Sequence, residues 1–257
     1  MTFSVTTWWS PKGGYEASEY EDAHSVGEIA PGVPLRVAVA DGATGATFSG
    51  LWANLLASDY ASGRLTTETL PVRVAFLARD WEKRVQSQPL PWYAQAKVSN
   101  EGSHAALIGV TLLPDTGYYQ VLAVGDCALF HLRPTEPGAD TYRVVRAFPF
   151  ARWEDFTGTP TLIGTKPTTR ANITAHTVVQ TGTVQVGDVL YVMSDALAAW
   201  FLRETEKGRS PWHWLAPLDL PDGDAMLTAM ARDLRDSKRL KNDDVTVIRI
   251  RVLGVGF

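Results

Sequence analysis

One cysteine, Cys127, stands in a chain of 257 residues. It excludes an intramolecular disulfide and fits a reducing compartment. Long hydrophobic runs are missing as well. The longest are strand-length, far short of the roughly 20 residues that carry a helix across a bilayer, so no membrane partner is expected. Neither sign of charge dominates: 24 Lys and Arg face 28 Asp and Glu, a net charge of −4. Such a surface has no broad attraction for phosphate backbones, and nucleic acid is not an expected partner. The opening MTFSVTTWWS has neither the basic start nor the apolar core of a secretory signal. No repeat, low-complexity tract or domain-separating linker interrupts the chain. The expectation is a soluble, cytoplasmic protein folding as one domain over residues 1–257, long enough to bury its core without staples.

What is present is a mixture of strand and helix signals. The nine tryptophans read mostly as large core fillers. Residues 1–20 are Gly-, Ser- and aromatic-rich without a clear period. LRVAVADG (35–42) reads as a buried strand, and FSGLWANLLASDYASG (48–63) as a helix stopped by Gly63. A second helix is expected over 68–87, ended by Pro89 and Pro91. Four strands follow, at 103–114, 118–126, 128–134 and 141–148, with turn signals between them that favour antiparallel pairing. Residues 150–170 read as an irregular loop and 171–185 as β-rich. The apolar run Val189 to Met193 leads to Asp195, helices are expected at 197–206 and 223–236, and VTVIRIRVLGV closes the chain as a strand. The pattern is α+β, with antiparallel strands and two pairs of helices.

Asp41, Asp195 and Asp243 share a context, each at the border of a turn and an apolar strand. Taken singly, each reads as a turn former or helix cap. Brought to one sheet edge, three such anions repel strongly and need hard cations between them, and ligation by oxygen alone selects Mg²⁺ or Mn²⁺ over zinc. Asp126, in VGDCA, is a fourth candidate that also reads as a hairpin turn residue. The residues alone leave both readings open.

Six blocks, in order, resemble the metal-dependent protein phosphatases of the protein phosphatase 2C type. They are YEDA (20–23), VAVADG (37–42), GSHAALIGV (102–110), VLAVGDCALFHLR (121–133), GDVLYVMSDAL (187–197) and NDDVTVIRIRV (242–252). The resemblance implies a four-layer αββα sandwich, two antiparallel sheets with helices on both outer faces, and two Mn²⁺ or Mg²⁺ ions at one end of it. Asp41 would bridge the ions, the Gly42 carbonyl would bind one, and Asp195 and Asp243 would complete the set. Glu21 and Asp22 would act in or just outside the ligand shell, and Asp126 would form part of a weak third site. The implied activity is hydrolysis of phosphoserine or phosphothreonine in phosphoproteins by a water activated between two metals, counteracting a serine/threonine kinase. The alternative is a catalytically weak or inactive domain of this type, serving as a binding or regulatory module.

Several positions depart from the family pattern. Ala17 stands where relatives place a phosphate-gripping Arg; Lys12 and Lys166 are candidate substitutes that also read as ordinary exposed lysines. Ala43 stands where some relatives carry a His. Ala199 replaces a third-site carboxylate, and Asp244 replaces the usual Asn, adding negative charge. Cys127 is expected in a strand of the core rather than in catalysis.

Overall fold

The computed structural model describes residues 1–89 and 92–254. Its elements run β1 (Thr2–Ser10), β2 (Ala23–Val26), β3 (Leu35–Gly42), α1 (Ser49–Ala61), α2 (Leu70–Gln86), α3 (Trp92–Asn100), β4 (His104–Leu112), β5 (Tyr118–Val124), β6 (Ala128–Pro134) and β7 (Tyr142–Phe148). Then come β8 (Ile163–Gly164), α4 (Pro167–Arg170), β9 (Val178–Thr183), β10 (Val189–Met193), α5 (Asp195–Glu206), α6 (Trp212–Leu215), α7 (Gly223–Asp236) and β11 (Val245–Leu253). One sheet has the order β1-β11-β10-β6-β7 and the other β2-β3-β4-β5-β9, with β8 added on β4. Every pairing is antiparallel.

Strand alternation builds the layers. On β3, Val37 and Val39 enter the core between the sheets, while Ala38 and Ala40 face the helices. Two alanines on the outer face let α1 approach closely, and its Trp52, Leu55 and Leu56 fill the space with Val74, Leu77 and Trp81 of α2. On β11 the same alternation sends Ile248, Ile250 and Val252 between the sheets. Val245 and Val247 turn outward to a layer containing Trp200 of α5, Leu215 of α6 and Leu227 of α7. The result is helices, sheet, sheet, helices: the four-layer α+β sandwich the resemblance implies. Trp8, Trp52, Trp81, Trp200 and Trp212 are buried fillers as expected.

Five details differ from the sequence reading. The first twenty residues contain β1, an edge strand whose Thr and Ser positions hide its alternation. The short β2 was likewise not anticipated. Helix α3 follows the proline-rich break; Pro91, assigned to that break, lies outside the described residues, as does Val255 at the end of the last strand. The stretch 171–185 is strand only over β9, because a 3₁₀ turn takes Ile173–His176. Cys127 is a free, buried cysteine immediately before β6 rather than within a strand, and burial pushes its thiol up, away from the reactive thiolate.

The fit of α1 on β4 is close enough to test. A Cβ at Gly109 would lie 2.4 Å from the Tyr60 ring, and that ring is pinned by a 3.1 Å hydrogen bond between its hydroxyl and Thr111 Oγ1. Gly109→Ala should destabilise the protein by about 1–3 kcal/mol, the scale of overpacking a filled core. Urea unfolding measures it, and an unchanged midpoint would mean that α1 can ride off the sheet.

Candidate metal centre

The alternation that buries Val37 and Val39 continues to Asp41, which pairs with Ala106, itself on the face between the sheets. A carboxylate is thereby carried to the end of the inter-sheet core. Asp195 opens α5 directly after β10, and Asp243 lies two residues before β11, both in the opposite sheet's layer. Asp126 sits in the turn that takes the chain from β5 in one sheet to β6 in the other. Asp22 immediately precedes β2. Five chain segments from two sheets therefore bring Asp22, Asp41, Asp126, Asp195 and Asp243 into one another's field.

Their electrostatics follow from that crowding. Burial first, then the charges of Asp22, Asp195, Asp126 and Asp243, pushes the Asp41 carboxyl well above the ordinary carboxylate range. Burial and Asp195 raise Asp126 to about 6. Burial raises Asp22 to about 8, with Asp244 and Asp195 adding to it and the Thr246 hydroxyl opposing it.

Several of the acids around Asp41 have partners of their own. Thr246 follows the inward parity of β11, and its hydroxyl donates to Asp22 Oδ2 at 2.6 Å. Tyr20 Oη hydrogen-bonds that same hydroxyl. Glu21 Oε2 holds the Lys12 ammonium at 2.8 Å, and Glu21 Oε1 accepts from Ser49 Oγ at 2.6 Å. Asp244 is raised chiefly by burial. Its Oδ1 accepts from the Lys12 amide at 2.8 Å and its Oδ2 from the Glu21 amide at 2.7 Å. The extra charge anticipated at position 244 thus ties the Glu21-Asp22 segment to β11. Lys241 Nζ reaches Asp195 Oδ2 at 3.1 Å and Asp243 Oδ2 at 2.7 Å. Burial disfavours its charge, yet Asp195 and Asp243 hold its pKa above the usual lysine value. Gly42 has no room for a side chain: a Cβ there would meet the Glu21 carbonyl oxygen at 2.5 Å and Ser49 at 2.8 Å.

All the clustered donors are oxygens and the negative charge exceeds the positive, a chemistry that fits hard divalent cations. As they stand, among the described residues, no three His, Cys, Asp or Glu side chains converge tightly enough to hold an ion. The hydrogen bonds and ammonium contacts above already engage Glu21, Asp22, Asp195, Asp243 and Asp244.

A cleft of about 560 Å³ adjoins the cluster, lined by Lys12, Tyr15, Tyr20, Glu21, Phe48 and Ser49. Ala17 lies in an exposed 3₁₀ turn beside it. Lys166 lines a different cleft, against Arg79, Trp81 and Glu82 of α2. Lys241, Thr246 and Ser49 were not anticipated as site residues. The inward parity of β11 offered a signal for Thr246; the sequence offers none for Lys241 or Ser49.

No family model and no curated protein sequence matches the chain. Its fold is similar to that of the photosystem II phosphatase PBCP, at 17% identity over 97% of this chain and 98% of that one, with a TM-score of 0.59. It is also similar to the catalytic domain of the serine threonine protein phosphatase PstP in complex with two manganese ions, at 16% identity over 98% and 99% of the two chains, TM-score 0.56. The S. agalactiae serine/threonine phosphatase matches at 16% identity over 97% and 99%, TM-score 0.54. The chain has the protein phosphatase 2C-type fold, as the six sequence blocks imply.

The raised carboxyls make the metal-free protein pH-sensitive. A carboxyl whose pKa is higher folded than unfolded keeps a proton that the unfolded chain releases. Its stabilisation is complete below the unfolded value near 4 and is lost as pH rises through the folded value. For Asp126 and Asp22 those folded values are about 6 and about 8. The melting temperature of metal-free protein should therefore fall between about pH 4 and about pH 8, and Asp126→Asn should flatten the part below about pH 6. A melting temperature that rises across this window would show that the carboxylates are not crowded together.

Proposed function

We propose that the chain, as one phosphatase domain over residues 1–257, is a metal-dependent phosphomonoester hydrolase, a protein serine/threonine phosphatase that opposes a kinase in the cytoplasm. The observation that carries this reading is the gathering of Asp22, Asp41, Asp126, Asp195 and Asp243 at the end of the two sheets. Asp41, the Gly42 carbonyl, Asp195 and Asp243 would hold two Mn²⁺ or Mg²⁺ ions. Glu21 and Asp22 would support them, and Asp126 would supply a weak third position. The two manganese ions of PstP support the choice of metal.

When bound, such ions lower the proton affinity of a water and neutralise phosphoryl charge. The chain's own part is positional. The strand end of β3 fixes Asp41, Thr246 orients Asp22, and the Asp244 carboxylate fixes the backbone of Lys12 and Glu21. The cleft beside Glu21 admits a phosphorylated side chain, and Lys12 is the cation on its wall. No protein nucleophile is called for, in keeping with the inert position of Cys127.

A second reading, a weak or inactive domain acting as a binding module, draws on two observations. Position 17 is an alanine, and Lys241 already occupies the Asp195–Asp243 pair.

Hydrolysis of an aryl phosphate and of a phosphothreonine peptide, with and without chelator, separates the readings. Turnover should need Mn²⁺ or Mg²⁺ and vanish in Asp41→Asn. Thr246→Val should cost about 10- to 100-fold, the usual scale for losing a group that orients a ligand. With Ala199 where relatives carry a third-site carboxylate, Asp126→Ala should lose far less than Asp195→Ala. Full turnover in chelator would overturn the metal mechanism, and no turnover at saturating Mn²⁺ would favour the binding module.

A further inference from the structure

Lys241 lies in the turn before β11, and its ammonium bridges two carboxylates: Asp195, 46 residues before it in the chain, and its near neighbour Asp243. The two acids are nearly buried, with side chains 12% and 16% exposed, whereas that of Lys241 is 64% exposed. The ammonium contacts both acids although most of the side chain is exposed, so the side chain can leave without disturbing the core.

The turn that carries it is fixed on both sides. Asn242 Oδ1 accepts from the Gly13 amide at 2.7 Å, and its Nδ2 donates to the Gly13 carbonyl at 3.2 Å. Arg235 Nη2 donates to the Asp243 carbonyl at 2.6 Å. Leu240, immediately before the lysine, is buried. The backbone is anchored and the side chain is tethered, which gives the ammonium a high effective concentration at the pair.

The Oδ1 atoms of both acids accept backbone amides, from Ala196 and Asp244, so an ion ligated by Asp195 and Asp243 draws on the Oδ2 atoms that Lys241 now holds. Both cations cannot have them at once. We propose that Lys241 is a built-in substitute cation at the Asp195–Asp243 pair, one that a divalent ion must displace. The inference rests on the divalent-ion reading of this cluster. It makes binding of an ion at this pair weaker than it would be without the lysine. It also gives the metal-free protein a way to neutralise two of its crowded carboxylates.

Calorimetric titration of metal-free protein with Mn²⁺ tests the proposal, using Lys241→Met and, as a control for net charge alone, Lys238→Met. Lys238 is exposed and three residues away in the chain. Lys241→Met should bind one Mn²⁺ about tenfold more tightly than wild type. That is the lower end of what charge-assisted contacts give, because most of the lysine side chain is exposed and its charge is screened. Lys238→Met should bind as wild type does. Without metal, Lys241→Met should melt below wild type, and saturating Mn²⁺ should close the gap. Equal Mn²⁺ affinity in wild type and Lys241→Met would overturn the proposal while leaving the metal reading intact. Equal tightening in both variants would reduce the effect to long-range charge and would also overturn it. Absence of Mn²⁺ binding by wild type and Lys241→Met alike would remove the metal reading itself, and the proposal with it.

Discussion

Crowded negative charge at the end of the inter-sheet core is the constraint on which the rest of the site depends. Carboxylates repel more strongly as they leave water, and isolated burial of even one ion is costly. This chain places Asp41 among Asp22, Asp126, Asp195 and Asp243. Protons, ammonium groups or added cations must balance them. The crowding favours protons on Asp41, Asp22 and Asp126, whose carboxyls are raised, and the Lys241 ammonium contacts Asp195 and Asp243. Divalent ions are the third, and the reading as a phosphatase follows from them.

The sandwich makes this crowding possible without placing it in the middle of the core. Val37 and Val39 on one sheet, and Ile248 and Ile250 on the other, keep the sheets packed along their length. The charged residues come only at strand ends and turns. The Thr246 hydroxyl on Asp22, and the Glu21 amide on Asp244, then hold one sheet to the other. The apolar core and the polar end are thus parts of one arrangement, in which the core sets the spacing of the sheets and the end sets the charge between them.

Much of this was legible because its signals are local. An apolar run ending in Asp marks β3 and β10, and Asp243-Asp244 ahead of VTVIRIRV marks β11. Six ordered blocks were enough to imply the four layers. What escaped depends on distant partners. An edge strand such as β1 alternates weakly, since it pairs on one side only with β11. Lys241 is an ordinary surface lysine until the fold brings Asp195 to it from 46 residues away. Position 244 reads as surplus charge until the amides it holds are seen. Resemblance pointed to the ligand candidates, and the structure supplied the cations that contend for them.

The most direct measurement is a crystal structure of the protein grown in saturating Mn²⁺, with the ions located by their anomalous scattering. The account predicts two peaks about 4 Å apart beside Asp41, the spacing of two-metal phosphoryl-transfer sites. One of them should lie between Asp195 and Asp243, with the Lys241 ammonium moved out to solvent. No manganese at Asp41, with Lys241 still bridging its two carboxylates, would contradict it.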